Sequence, residues 1–379
     1  MANTASIAAL RAQLWDKELY KDMMTELLFS NYGSHMISTS PNSIIQVKDD
    51  LKSKKGDRIT FGIGYKLTGD GVTGDSELEG NEEAKNTYSD VVLIDQIRNA
   101  ERLQGELDNQ KAAYDTREEA KNDGKVWIAE FIEKQFFMKL GGVTEVDLTD
   151  VGGSIYSARA AWSNSATPVP AAHEAAGTGA RYICADTAGL DSLAATDILT
   201  TSLITKARVK ASTTVVGRPR VRHIRVNGKK YYVMFVHPWQ AADLKTASGS
   251  TWAQAQRDAQ LRGDSNPIFS GALGVWDGVI LHESDYVPVC QSGSNFDGSG
   301  TATTAQAFRA LLCGAQAGLM ANASNKGRGA APTFMVEKSF DYENKTGYAV
   351  GYIGGIQKAT FNSIDYGVVS VDTGATDLS

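Results

Sequence analysis

Two stretches of the sequence decide the fold: residues 227–245 are NGKKYYVMFVHPWQAADLK, and residues 262–283 are RGDSNPIFSGALGVWDGVILHE. Tyr231–His237 is a continuous apolar run between polar residues, which is typical of a buried strand. Pro238 favours the first turn of a helix, because its missing N–H needs no partner there. In the second stretch, Ala272–Glu283 predicts a strand, a turn and a strand. A strand that runs directly into a helix is therefore the first predicted unit.

A long two-stranded hairpin is predicted upstream of this unit. Arg58–Leu67 (RITFGIGYKL) alternates as a strand, Leu67–Gly80 is a glycine-punctuated acidic loop, and Thr87–Ile94 is a returning strand. The residues of this hairpin are too polar and too rich in glycine to form a core of their own. Because an isolated two-stranded ribbon is only marginally stable in water, the hairpin needs support from outside itself.

Apolar residues at helical spacing predict helices along the rest of the chain. Residues 6–30 would form the first helix, and its partner is either its own lobe or a neighbouring subunit. Residues 93–114 would form a long amphipathic helix, and a second helix follows from about Val126 to Leu140, before a pair of glycines. Thr196–Lys210 predicts a further helix with basic residues at its end, where the helix dipole favours cations.

The remaining segments complete a chain of the α+β class. Residues 141–180 are small and polar and would link two lobes. The alanine-rich residues 305–321 fit either a helix or a strand, whereas Phe334–Phe361 predicts a pair of strands joined near Asn344.

Composition limits the class of protein. With 379 residues, of which 42% are hydrophobic, the chain is long enough to bury substantial cores in two lobes. The formal charge of −6 argues against a surface that grips DNA throughout, although it allows a local basic patch. The three cysteines include no CxxC pair, so neither a disulfide framework nor a thiolate metal site is indicated. With no signal-peptide pattern and no membrane-spanning run, we expect a soluble chain made in a reducing cytoplasm.

Two patterns suggest enzymatic sites, and each has a more ordinary interpretation. Gly69–Gly74 matches G-x-G-x-x-G after a strand, but acidic residues stand where a dinucleotide site needs a helix, which favours a loop. His237, His282 and Glu283 would make a metal or acid–base site only if they converge in space. No two of the five histidines share the H-x-x-x-H spacing of a zinc-binding helix. We therefore predict no enzyme, no cofactor and no metal, with an enzyme using these three residues as an alternative.

Charge is segregated along the chain. From Lys206 to Lys230 there are nine cations and no acid, and from Asp70 to Glu83 there are six acids and no base. Three interpretations of the basic run stay open: a nucleic-acid-binding module, a solvated face, and a surface that meets the acidic hairpin of a neighbouring subunit. The acidic candidates for a contact between subunits are Asp70, Asp75, Glu77, Glu79, Glu82 and Glu83, and the basic candidates are Arg208, Lys210, Arg218, Arg220, Arg222 and Arg225.

The stretch Asn227–Glu283 closely resembles the major capsid proteins of tailed double-stranded DNA bacteriophages, in particular the branch that contains the coliphage N-four group. The upstream order agrees over nearly the whole chain. It comprises KKGDRITFGI (residues 54–63), LEGNEEA (78–84), DVVLIDQIRNAERL (90–103) and QKAAYDTREEA (110–120). The resemblance is most specific over residues 56–120 and 227–283.

This resemblance implies the Hong Kong 97-type capsid fold, with the chain divided in a characteristic order. The implied parts are an N-terminal arm (1–50), an extended-loop hairpin (51–95), a peripheral domain with a spine helix starting near residue 95 (96–180), an axial domain (181–334) and C-terminal strands that return to the peripheral domain (335–379). The core of the axial domain would contain Tyr232, Met234, Val236, Pro238, Trp239 and Leu244.

The function implied by the resemblance is structural. The chain would assemble with itself into pentamers and hexamers that form an icosahedral shell, with packaged DNA as an indirect partner and without a membrane. Further partners would be a portal and either scaffolding or cementing proteins. We expect the protein in the virion capsid after synthesis in the host bacterial cytoplasm. Lys66 lies in the hairpin, but no Asn partner or catalytic carboxylate is identified, so we predict no crosslink.

Overall fold

The structure, a computed structural model, describes the chain in segments. These are residues 8–31, 36–51, 56–63, 71–80, 82, 88–102, 105, 111, 116–143, 181–213, 220–226, 228–247, 273–290, 292, 296, 303, 305–324, 331–342, 344–361 and 364–376. Five α-helices lie in these segments: α1 (Ala8–Glu26), α2 (Leu28–Asn31), α3 (Thr116–Gly141), α4 (Thr201–Ser212) and α5 (Pro238–Ala247). No helix among the described residues is long and apolar enough to cross a membrane.

The same segments contain eighteen strands. They are β1 (Ile37–Ser38), β2 (Ile45–Leu51), β3 (Arg58–Ile63), β4 (Tyr88–Leu93), β5 (Asp95–Arg102), β6 (Tyr182–Cys184), β7 (Ile224–Val226), β8 (Lys229–Val236), β9 (Gly274–Trp276), β10 (Val279–Glu283), β11 (Val289–Cys290), β12 (Ala307–Cys313), β13 (Gly318–Ala323), β14 (Thr333–Phe340), β15 (Lys345–Lys358), β16 (Thr360–Phe361), β17 (Ile364–Asp365) and β18 (Val368–Thr373). The mixture of helices and strands confirms the predicted α+β class.

Two sheets organise these strands. The six-stranded sheet has the order β1-β2-β13-β15-β14, and β5 also pairs with β15. The eight-stranded sheet has the order β6-β18-β12-β8-β10-β9, with β7 on β8 and β11 on β12. The predicted hairpin is confirmed as the separate antiparallel ribbon β3–β4, in which Arg58 lies opposite Leu93 and Ile63 opposite Tyr88.

The continuous apolar run of β8 is buried on both of its faces. Val233 and Phe235 lie in the same core cluster as the apolar face of α3, and the Phe235 ring centroid is 5.4 Å from that of Phe137. Tyr232, Met234 and Val236 point to the other face, in a second core cluster that includes residues of α4 and α5. A strand covered by helices on both sides has no solvent-facing positions to alternate with, which explains the unbroken run.

The N-terminal helix α1 docks on α3 of its own chain, which answers the question left open by the sequence. Its buried residues Leu19 and Met23, and Leu27 directly after it, lie in the large core cluster together with α3. Carboxylates on the same helix face the lysines of α3, and the nitrogen–oxygen distances are 3.4 Å for Lys121–Glu18, 3.6 Å for Lys121–Asp22 and 3.1 Å for Lys125–Glu26. The docking therefore combines an apolar face with a ladder of ion pairs between half-buried lysines and exposed carboxylates.

A buried ion pair joins the end of α3 to the eight-stranded sheet. Arg309 on β12 is fully buried, and its Nε and Nη2 donate to the two carboxylate oxygens of Asp372 on β18 at 2.8 and 2.7 Å. Its Nη1 donates to the carbonyl of Gly141, the last residue of α3, at 2.9 Å. Because removal of one partner would leave a buried charge without compensation, this pair fixes the helix end firmly against the sheet.

The helix predicted over residues 93–114 is wrong where the structure describes it. Asp95–Arg102 is a strand, β5, whose residues pair with Gly347–Gly354 of β15. The long helix is α3, which starts at Thr116 and includes the predicted helix 126–140. The apolar spacing between residues 93 and 103 suits a helix, but the open edge of the long strand β15 offers a full ladder of backbone hydrogen bonds. Pairing with a distant strand therefore overrides the local pattern.

The C-terminal strands are divided between the two sheets of the subunit. Strands β14 and β15 lie in the six-stranded sheet, but the last strand, β18, pairs with β12 and β6 in the eight-stranded sheet. Conversely, β13 lies within the segment assigned to the axial domain and pairs with β2 and β15 in the six-stranded sheet. The strands of residues 335–379 therefore lie in both sheets, and their assignment to one domain stays a prediction. The predicted link at 141–180 lies largely outside the described residues.

Candidate assembly surface

The root of the hairpin β3–β4 is packed into the body of its own subunit. Ile59, Phe61, Ile63 and Val92 are buried in one cluster with residues of β13, β16 and the following loop. Lys48 of β2 reaches across, and its Nζ donates to the carbonyl of Thr60 at 2.8 Å. The ribbon thus has the outside support that its sequence requires, and part of that support comes from its own chain.

Asp90 of β4 ties the root to the strands on which it rests. Its Oδ2 accepts hydrogen bonds from the backbone N–H of Thr360 at 2.9 Å and from the Thr360 hydroxyl at 3.0 Å. Its Oδ1 accepts from Gln357 Nε2 at 3.2 Å. At Gly355, a Cβ atom would lie only 1.9 Å from the carbonyl oxygen of Leu93, so that β15 and the end of β4 touch backbone to backbone. The direction of the hairpin is therefore set by close packing and by a multiply bonded carboxylate.

The tip of the hairpin contrasts with its root, because nearly every described residue of 71–80 is exposed. Gly71, Gly74 and Gly80 have φ values of 72, 68 and 91 degrees, which a residue with a side chain rarely adopts. Leu78 is 60% exposed. The described acids of this segment are all exposed: Asp75, Glu77, Glu79 and Glu82. Asp70 and Glu83, which belong to the same predicted set, lie outside the described residues.

The basic run divides into two groups in the structure. Three of its cations bind groups of their own chain: Arg208 Nη1 lies 3.2 Å from an Asp277 carboxylate oxygen, Lys210 Nζ donates to the Tyr182 carbonyl at 2.7 Å, and Arg222 donates to the Pro41 carbonyl and to Gln316 Oε1, both at 2.6 Å. Arg220 and Arg225 are exposed, and Arg218 lies outside the described residues. The run is therefore only partly a solvent-facing surface.

The exposed cations concentrate on the hairpin formed by β7 and β8. Gly228, with a φ of 78 degrees, stands in its two-residue turn, and the antiparallel register places Arg225 directly opposite Lys230. Lys229 is exposed beside them. The pKa of His223 is lowered by its partial burial and by the charges of Lys230 and Arg225, which fits a local positive potential. We call Arg225, Lys229 and Lys230 the cationic hairpin.

The three residues of the alternative enzyme site, His237, His282 and Glu283, lie in ordinary structural surroundings. His237 caps α5: its Nδ1 accepts from the N–H of Trp239 at 3.3 Å, and its own N–H donates to Gln240 Oε1 at 3.0 Å, which is the reciprocal arrangement of a capping box. Burial lowers the pKa of His282 to about 4. Glu283 forms an exposed ion pair with Lys245 at 3.9 Å. Among the described residues, no group of three His, Cys, Asp or Glu side chains is arranged to hold a metal ion.

The predicted core residues of the strand–helix unit fall into two places. Tyr232, Met234, Val236 and Leu244 lie in the cluster between the eight-stranded sheet and helices α4 and α5. Trp239 is half-buried and packs instead against Phe308, with ring centroids 5.8 Å apart. Pro238 is half-buried at the first position of α5.

Sequence reasoning missed several of the residues that define this surface. Asp90 and Leu78 were not singled out, and neither carries a local pattern that marks it. For the cationic hairpin a signal did exist. The dipeptide Asn227-Gly228 favours a two-residue turn between strands, and such a turn places Arg225 and Lys230 opposite each other.

Comparison with known proteins places the chain in a family. A family model described as phage capsid protein matches residues 3–377. The major capsid protein of Pseudomonas phage KPP25 is 27% identical over 380 residues, covering 97% of this chain and 96% of the relative. The capsid of Ralstonia phage GP4 matches with a TM-score of 0.76 and 28% identity over 91% of both chains. The capsid chain of cyanophage Pam1 shares the fold, with a TM-score of 0.64 and 23% identity over 92% of this chain and 93% of that chain. The described fold and the match over almost the entire length together show that this chain belongs to the phage capsid protein family.

Proposed function

We propose that this protein is the major capsid protein from which a tailed bacteriophage builds its icosahedral shell around double-stranded DNA. The observation that carries the proposal is the fold that it shares with the capsid of Ralstonia phage GP4 over 91% of both chains. In this function the chain acts by binding other copies of itself into pentamers and hexamers. A portal and either scaffolding or cementing proteins are further proposed partners. The division into arm, extended loop, peripheral domain and axial domain is also proposed on the basis of the family.

The hairpin β3–β4 is the proposed element that reaches a neighbouring copy. Its root is buried on its own subunit, whereas the described residues of its acidic tip, 71–80 and 82, are almost all exposed. Because the root is held on one copy and the tip is exposed, the tip would bind a different surface patch on the next copy. The two patches in the contact are therefore not the same. Contacts of this head-to-tail kind close into rings when the rotation between subunits allows it. Repeated around a ring, contacts that are weak individually add up to a stable assembly.

The proposed function is tested by following assembly of the purified full-length chain. Analytical ultracentrifugation and negative-stain electron microscopy should detect rings, tubes or closed shells, alone or with a co-expressed scaffold. A chain that stays monomeric under all conditions that keep it folded, including co-expression with the neighbouring structural genes, would overturn the proposal.

Charge reversal at the tip tests the role of the hairpin. Glu82→Lys with Glu83→Lys should reduce assembly, because it replaces two of the six acids of the loop by cations without changing any residue of the buried root. The matched control, Glu82→Asp with Glu83→Asp, keeps the charge and should assemble normally. If the reversed variant assembles as the wild type does, the acidic tip has no part in contacts between subunits.

A further inference from the structure

The cationic hairpin has an arrangement that is unfavourable in the isolated subunit. Arg225 and Lys230 lie directly opposite each other across β7 and β8 and are both exposed. Like charges in directly opposed positions of an antiparallel pair destabilise the pair. Lys229 adds a third cation at the same end of the hairpin. An acidic group that bound to these side chains would relieve the repulsion between their positive charges.

The chain itself carries a surface of the required chemistry. The hairpin tip presents Asp75, Glu77, Glu79 and Glu82 without any cation between residues 71 and 82, and Leu78 stands exposed among them. The described residues of the tip are almost all exposed, so they are available to another copy. Both surfaces are therefore exposed, opposite in charge and carried by every copy.

We infer that the cationic hairpin of Arg225, Lys229 and Lys230 is the receptor for the acidic tip of a second copy of this chain. This inference rests on the proposed function, since it names the partner surface of the same projecting hairpin. The inference also reduces the set of basic residues proposed for the contact, because Arg208, Lys210 and Arg222 bind their own chain and are not the receptor. Because the contact is exposed and ionic, it is sensitive to salt and gains its strength from repetition around the ring.

A single substitution separates this receptor role from a structural one. Lys230→Glu places an acid opposite Arg225, which should leave the thermal unfolding midpoint of the free subunit unchanged or raise it. Assembly should nevertheless fall by about tenfold, because the receptor loses its sign and the loss is repeated at every contact. The matched control is Lys206→Glu, an exposed lysine of the same basic run, two residues from Arg208 on α4 and thus about 200 degrees around the helix. It should assemble normally.

The reverse change on the tip provides the rescue. Glu77→Lys with Glu79→Lys should also reduce assembly, and the two tip changes combined with Lys230→Glu and Arg225→Glu should recover most of the lost yield. A combined variant that assembles no better than the single-surface variants contradicts the inference.

A disulfide tests the geometry directly. Glu79→Cys combined with Lys229→Cys should form a ladder of covalent multimers after oxidation of assembled particles, whereas each single-cysteine variant should not. Wild-type particles that form normally while the double-cysteine variant yields only monomers would overturn the inference and leave the proposed function intact. Normal assembly of Lys230→Glu together with weakened binding of double-stranded DNA would also overturn it, because the hairpin would then face the genome. Failure of the wild type to assemble would instead count against the proposed function.

Discussion

The root and the tip of the hairpin β3–β4 belong to one ribbon, yet their surroundings are opposite. At the root, Ile59, Phe61 and Val92 are buried, and Asp90 accepts hydrogen bonds from neighbouring strands. At the tip, nearly every described residue is exposed, and the acids have solvent around them. The difference teaches that one segment combines a buried base that holds it to the subunit with a charged end that is exposed and that we propose as a contact with a neighbouring copy. The contrast predicts large effects on stability at the root and effects on assembly at the tip.

The largest effect on stability is expected from Gly355→Val. Because a Cβ atom at this position would lie 1.9 Å from the Leu93 carbonyl oxygen, the strands must separate. We expect the free energy of unfolding to fall by about 3 kcal/mol or more, measured by urea denaturation. Gly62→Val, on the hairpin itself, is the matched control, since nothing lies within 4 Å of its added Cβ. A loss of equal size for Gly355→Val and Gly62→Val would show that the close approach of Gly355 to Leu93 is not the cause of the loss.

The anchoring carboxylate of the root gives the next effect. Asp90→Ala removes the acceptor for the Thr360 N–H and hydroxyl and for Gln357 Nε2. Partly buried donors then lose their partner, and we expect a loss of roughly 2 to 3 kcal/mol in the free energy of unfolding. Asp75→Ala at the tip should change it by less than about 0.5 kcal/mol. Equal losses for the two aspartates would contradict the distinction between root and tip.

A buried carboxylate of the body should make the stability of the subunit depend on pH. The pKa of Glu133 on α3 is raised from its ordinary 4.5 to about 7, mainly by burial and to a smaller extent by the charge of nearby Glu130, while a hydrogen bond from the Leu28 N–H opposes the shift. The folded state thus holds a proton that the unfolded state releases. Its stabilisation is fully present below about pH 4.5 and is lost as the pH rises through about 7, a change on the order of 3 kcal/mol.

The measurement is the free energy of unfolding of wild type and of Glu133→Gln between pH 4.5 and pH 7. The wild type should lose stability relative to Glu133→Gln over this range. Parallel curves for the two proteins would show that Glu133 is not titrating in this window.

The smallest effect on the free subunit is expected from Leu78→Ser. Leu78 is 60% exposed, so its replacement should change the free energy of unfolding by less than about 0.5 kcal/mol. Assembly should fall two- to threefold, on the order of the loss of one small apolar contact per interface. Size-exclusion chromatography of equal amounts of both proteins measures the assembled fraction. If Leu78→Ser lowered the free energy of unfolding and left assembly unchanged, Leu78 would stabilise the subunit itself and not a contact between subunits.

The hairpin shows how far the sequence could lead. Alternation in Arg58–Leu67 and Thr87–Ile94 predicted the two strands, and the polar, glycine-rich loop predicted that the ribbon could not stand alone. That Asp90 would hold its root was beyond prediction, because Gln357 and Thr360 are more than 260 residues away in the chain. The acids of the tip were predicted as a set from their segregation. The basic set was less well predicted, because Arg208, Lys210 and Arg222 look the same in sequence as Arg225 and differ only in what lies beside them.

The segment 93–103 shows why a local pattern fails. Its apolar spacing fits a helix, but the edge of β15 supplies a ladder of backbone hydrogen bonds, so Asp95–Arg102 becomes a strand. A pairing partner 250 residues downstream leaves no trace in a local window.

The sequence by itself determined the α+β class, the strand–helix unit around Pro238, the hairpin and the separation of charge, because each depends on the chemistry of neighbouring residues. Only the tertiary structure decided which strands share a sheet, which sheet contains the last strand β18, and which cations bind groups of their own chain. The physical reason is the same in each case: burial, strand pairing and charge compensation depend on groups far apart in the chain, and their energies exist only once the chain has folded.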